Sequence, residues 1–137
     1  MLVKRVHHIG VAVADLDRGK ELLGTTLGLP LVREHRSTGD GPSTAFFRCG
    51  DVEIELLEHS RPEDRAAWLG GDNLGRIEHI AIEVEDLDAT LTALRALGVT
   101  GEPVRPGSLG VSVRTHPDTT TGIVLQLLQP DRSRSVS

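Results

Sequence analysis

The sequence predicts an α+β fold built from two tandem βαβββ modules, and three observations carry that prediction. His8-Ile9 opens the segment HIGVAVADLD, and His79-Ile80 opens HIAIEVEDLD 71 residues later. The run Glu55-Leu56-Leu57-Glu58 returns as Gln126-Leu127-Leu128-Gln129 at the same offset of 71. Two ungapped matches at one spacing mark a tandem duplication. In both copies, apolar residues alternate with a period of two and then give way to a capped, helix-period stretch.

The elements follow in order. Val3–Ala14 alternates as a strand, with Ile9, Val11 and Val13 on one face and Val6, His8, Gly10 and Ala12 on the other. The next helix has Asp15 or Asp17 as its cap and Gly28 as its end. Three strands are expected at about 31–37, 44–49 and 52–58. Pro62–Leu69 (PEDRAAWL) reads as a short linking helix closed by Gly70 and Gly71. The second copy repeats the grammar: a strand over Ile77–Glu85, a helix capped by Asp86 or Asp88 with a Leu91, Leu94, Leu97 stripe, and an end at Gly98. Strands at about 103–106, 110–115 and 122–129 complete it. One domain is therefore expected over 1–130, with modules at about 3–60 and 75–130, a linker at about 61–74 and a flexible tail over 131–137. The aliphatic face of each first strand is expected to pack on helices, leaving the histidine face free of them.

Composition excludes several function classes. The net charge of −5, from 15 basic and 20 acidic residues, removes the electrostatic footprint of a nucleic-acid binder. Three aromatic residues, Phe46, Phe47 and Trp68, leave few stacking platforms for single strands. Cys49 stands alone, so no intramolecular disulfide or cysteine-based zinc cluster forms. No stretch approaches the roughly 18 apolar residues of a membrane span, and the opening MLVKRVHHIGVAVADLD lacks the pattern of a signal peptide. Neither nucleic acid nor membrane is expected as a partner, and a cytoplasmic location is expected.

Alternation also places chemistry. Glu53, Glu55 and Leu57 alternate with Val52, Ile54 and Leu56, and Val124, Gln126 and Leu128 alternate with Ile123, Leu125 and Leu127. Each half thus offers one histidine and one carboxylate or carboxamide in equivalent places: His8 with Glu55, and His79 with Gln126. Folded about a pseudo-two-fold axis, the four could converge. Two imidazoles, a carboxylate and an amide oxygen are an N/O donor set for one divalent ion, Co, Ni, Zn, Mn or Fe(II). They are not a calcium set. His7 is one residue out of phase and points away, while His35, His59 and His116 read as surface or turn residues. Glu53 and Glu58 read as solvated strand-end charges. Arg105 and Arg114 either meet an acidic substrate or are surface charge. Phe46 and Phe47 are adjacent, so one faces the cavity and the other the helix side.

The segments HHIGVAV–DLD, TLGLPL, VEIELLE, EHIAIEV–DLD and HPDTTTGIVLQLLQ resemble the vicinal-oxygen-chelate (glyoxalase/bleomycin resistance/dioxygenase) superfamily over Val3 to Pro130. Within it, His116-Pro117, Thr121-Gly122 and Leu125 are most similar to the methylmalonyl-CoA epimerase branch. The resemblance implies a curved mixed sheet around a metal-binding cleft, with His8, Glu55, His79 and Gln126 as ligands. It further implies a small-molecule substrate, an acyl-CoA among the options, and a homodimer. The branch carries Gln in the fourth strand and Glu in the eighth, which are exchanged here as Glu55 and Gln126. Its third-strand glutamate, a proton-transferring base, aligns with Thr44. Relatives place Phe-Tyr in the first helix where this chain has Leu22 and Leu23.

The expected activity is that of a metal-dependent isomerase or epimerase of a small, methylmalonyl-CoA-like acyl substrate, acting through a metal-stabilised enolate. Glu55 is the expected base, because an amide such as Gln126 does not move protons near neutral pH. Thr44, Phe46 and Phe47 are the expected substrate contacts. Three alternatives stand beside this reading: a glyoxalase I-like lyase, an Fe(II)-dependent dioxygenase using His8, His79 and Glu55, and a metal-free ligand-sequestering protein of the bleomycin-resistance kind.

Overall fold

The computed structural model describes residues 1–131, so all of the expected tail except Asp131 lies outside the described residues. The first copy forms β1 (Val3–Val13), α1 (Leu16–Lys20), β2 (Leu31–His35), β3 (Ser43–Cys49) and β4 (Val52–Glu58), and α2 spans Pro62–Leu69. The second forms β5 (Gly75–Val84), α3 (Leu87–Ala96), β6 (Arg105–Gly107), β7 (Gly110–Arg114) and β8 (Leu125–Pro130). The strands run in one eight-stranded sheet in the order β2-β3-β4-β1-β5-β8-β7-β6. Contacts group the chain into two units, His8–Glu78 and Met1–His7 with His79–Ser137. Among the described residues no helix is long and apolar enough to cross a membrane.

In the unit His8–Glu78, β1 pairs in parallel with β4, Gly10 opposite Glu55. β3 is antiparallel to both β4 and β2. Alternation sends Val11, Val13, Ile54 and Leu56 into a core with Leu16, Leu23, Ala45 and Phe47. Beyond α1 the helix widens into a π-type turn over Glu21–Thr26. Gly24 there gives Phe47 room, since a Cβ would lie 3.1 Å from the ring. The opposite face corrects the expectation that it carries no helix. Ala12 and Leu57 pack against Leu69 of α2, with Trp68 beside them. His59, expected as a surface or turn residue, is buried there against the Trp68 ring at 4.7 Å, and neither ring nitrogen has a hydrogen-bond partner among the described residues.

In the other unit, β5 pairs in parallel with β8, Ala81 opposite Gln126, and β7 is antiparallel to β8. Val84, Leu87, Val113 and Leu127 form its core, joined by Ile82, Leu91 and Leu94. The start of β1 belongs here: the Leu2 carbonyl accepts from the Glu85 N–H at 3.2 Å, and Arg5 pairs with Glu83 at 3.3 Å. β8 begins at Leu125 rather than 122, because Thr121 (φ 53°) and Gly122 (φ 89°) turn left-handed ahead of it. β6 starts at Arg105, later than expected. β2 stops at His35, where a turn follows in which the Ser37 N–H donates to Ser43 Oγ.

The helix starts repeat the duplication in atomic detail. Asp15 accepts from the Arg18 N–H at 3.0 Å and Asp86 from the Ala89 N–H at 3.1 Å, so these two are the caps. Asp17 pairs instead with Arg36, whose hydrogen bond holds the Asp17 carboxyl below its ordinary value. The second donor of each first turn finds the last residue of the repeated four-residue run. The Leu16 N–H donates to Glu58 at 2.6 Å, and the Leu87 N–H donates to Gln129 at 2.7 Å. Glu58 is therefore a half-buried cap, not a solvated strand end, because an orphan N–H at a helix start needs an acceptor. Since Gln129 performs the same task uncharged, Glu58→Gln is expected to cost about 0–1 kcal/mol, the range for a surface ion pair such as the one with Arg65, 3.5 Å away, that it breaks. Glu58→Ala is expected to cost about 1–2 kcal/mol, as other lost caps do. Urea unfolding of the two variants checks this.

Candidate functional site

The first half-site follows from strand register. Because Gly10 faces Glu55 across a parallel pair, His8 lies two residues earlier on the same face of β1. The two residues are 4% and 9% exposed, and His8 Nε2 stands 3.5 Å from Glu55 Oε1. Two ligands held about 2.1 Å from one ion stand about 3.0–3.5 Å apart, so the spacing and the N/O donor chemistry fit a divalent metal.

Antiparallel pairing extends this face outward. Phe46 of β3 lies opposite Glu55, and its ring meets His8 edge-on with centroids 5.5 Å apart. Arg33 of β2 lies opposite Phe46, stacks 3.9 Å over its ring, and pairs with Glu53 at 3.0 Å. Glu53 is thus held by an arginine rather than solvated at the strand end. The sequence reading missed Arg33 for a physical reason. A bulge in β2 sets Leu31 opposite Phe47 and Arg33 opposite Phe46. Without the extra residue, alternation would turn Arg33 toward the core. Thr44 pairs with Leu57 and shares the face of Glu55 and Phe46. Phe47, also expected as a substrate contact, is 2% exposed within the α1 core. Between the two adjacent rings, Phe46 is the one beside His8.

The second half-site repeats the register. Ala81 faces Gln126, so His79 again lies two residues before the paired position, and it is 4% exposed. Leu127 turns into the α3 core, and Gln126 therefore faces the other way. Gln126 Nε2 donates to Ser112 Oγ at 3.4 Å, which leaves its Oε1 as the atom suited to a metal. Arg114 lies directly opposite Gln126 on β7 and is half-buried. Arg105 is exposed and pairs with Glu102 at 3.8 Å. His116 closes a turn, its Nδ1 2.9 Å from Thr100 Oγ1.

The sequence profile of the glyoxalase/bleomycin resistance protein/dioxygenase superfamily matches residues 7–115. The chain belongs to this superfamily. It is 30% identical to ethylmalonyl-CoA/methylmalonyl-CoA epimerase of Cereibacter sphaeroides, over 93% of this chain and 99% of that protein. Among solved structures, methylmalonyl-CoA epimerase from Mycobacterium tuberculosis superposes with a TM-score of 0.82 at 29% identity, covering 99% of this chain and 94% of that one. A methylmalonyl-CoA epimerase in complex with methylmalonyl-CoA and NH4+ superposes with a TM-score of 0.78 at 27% identity, covering 96% and 97%. The fold is the vicinal-oxygen-chelate fold of these enzymes.

The two neighbouring rings are separable by experiment. Phe47→Ala is expected to cost about 3–5 kcal/mol, as for other buried phenylalanines. Phe46→Ala, which opens no core, should cost less than half of that. Chemical denaturation of both variants measures the difference.

Proposed function

We propose that the chain is a metal-dependent epimerase of a methylmalonyl-CoA-like acyl thioester. The observation that carries this reading is the paired His8–Glu55 arrangement and its register copy at His79 and Gln126, in a chain whose relatives and structural neighbours include methylmalonyl-CoA epimerases. His8 and Glu55 would hold a divalent ion on the first half's site face, and His79 and Gln126 repeat that donor pair at the same register in the second half. The same reading takes the ion to be Co, Ni, Zn, Mn or Fe(II), and the enzyme to be a cytoplasmic homodimer. The lyase, oxygenase and metal-free binder alternatives are not favoured by these relatives.

A divalent ion so held supplies Lewis-acid polarisation of a substrate acyl oxygen, which lowers the cost of removing a proton from the adjacent carbon. This chain's own groups divide the remaining work. Glu55 takes the proton on a carboxylate oxygen, being the one ionisable group of the set besides the two imidazoles. Inversion is completed when water gives a proton to the opposite face of the carbon and the resulting hydroxide takes back the proton held by Glu55. Gln126 binds and orients, because its amide does not titrate near neutral pH. Thr44, at the position where the family's resemblance places a glutamate, offers a hydroxyl as a substrate contact. Phe46 forms an apolar wall beside His8.

In deuterium oxide, the metal-loaded protein is expected to exchange the α-proton of methylmalonyl-CoA and to interconvert its epimers. Glu55→Gln should lower that rate by about 10²–10⁴-fold, the range for loss of a general base. Removing metal with a chelator should abolish turnover, and adding back one equivalent should restore it. Wild-type rates retained in Glu55→Gln would remove Glu55 from the chemistry.

A further inference from the structure

We infer that Arg114 is the substrate's anion anchor, a guanidinium placed to bind a free carboxylate near the reacting carbon. This rests on the epimerase reading above and names the residue that would select, among acyl thioesters, those that carry such a carboxylate.

Three observations within one unit carry the inference. Arg114 is the direct antiparallel partner of Gln126, so the two side chains leave the same face of the sheet as neighbours, about 5 Å apart at Cβ. That face is the one turned from the α3 core, since Val113 and Leu127 between them fill the core. Arg114 is also half-buried, whereas Arg105, the other arginine of this sheet edge, is exposed and pairs with the nearby Glu102.

Comparison of the halves sharpens the point. At the register position of Arg114, the first half presents Phe46 opposite Glu55. One half-site thus offers a ring where the other offers a cation. A guanidinium suits a carboxylate because its planar fork donates two parallel hydrogen bonds, and a partly buried site strengthens them.

The test compares binding of malonyl-CoA and acetyl-CoA, which differ by one carboxylate, to the metal-loaded protein by calorimetry. Wild type is expected to bind malonyl-CoA about 10- to 100-fold more tightly, the range for a charge-assisted hydrogen bond. Arg114→Met should erase that preference while metal content and acetyl-CoA affinity stay unchanged. Arg114→Lys, which keeps the charge without the fork, should retain a reduced preference, and Arg114→Gln stands in should the Met variant fail to fold. Wild type showing no preference, or Arg114→Met keeping it, overturns the inference. Neither ligand has to turn over, so failure of the epimerase reading is seen separately, as absence of α-proton exchange by wild type.

Discussion

In each half of this chain the first and last strands run parallel, and the register of that pairing decides where every other group goes. The run Glu55–Glu58 shows how much one register carries. Glu55 faces His8, Leu56 enters the core beneath α1, Leu57 meets α2, and Glu58 reaches the first turn of α1. A slip of one residue would exchange core and site faces together. The half-site is therefore held by the same contacts that hold the fold, and the helix cap at one end of the run reports on the position of Glu55 at the other.

Much of this was legible in the sequence because duplication supplies an internal control. One alternating strand with a histidine says little, but His8 and His79 at a fixed offset, followed by equivalent partners, identify a face in each half. The bounds of α2 were legible too: Pro62 can start a helix, and Gly70 at φ 72° can end one. The Glu58 cap was readable in principle, since Leu16 and Leu87 share the same offset as Glu58 and Gln129. It was hidden because a strand-end carboxylate also suits solvent.

Other features had no local signal. The β2 bulge that turns Arg33 onto Phe46 depends on the pairing with β3, not on the composition of β2. The burial of His59 depends on α2 folding back over Leu57, a tertiary choice that sets an imidazole beside Trp68 without hydrogen-bond partners among the described residues. Burial of this kind carries a desolvation cost, offset here by the contact with the Trp68 ring. Thr121 at φ 53° shortens β8, and nothing about a threonine announces a left-handed backbone.

The two copies have diverged in an ordered way. Where position serves structure, the exchanged residues do the same job: Asp15 and Asp86 both cap, and Glu58 and Gln129 both accept from a leucine N–H. Where position serves the proposed chemistry, the exchange changes what the residue can do. A carboxylate, as at Glu55, can accept a proton where an amide, as at Gln126, cannot, and a ring beside the one answers a guanidinium beside the other. A carbon whose configuration is to be inverted carries unlike substituents, among them an apolar group and, in the proposed substrate, a carboxylate. The scaffold of the repeat is kept symmetric while its polarity is broken at Glu55/Gln126 and at Phe46/Arg114, with Glu55 and Phe46 lying within one half and Gln126 and Arg114 within the other.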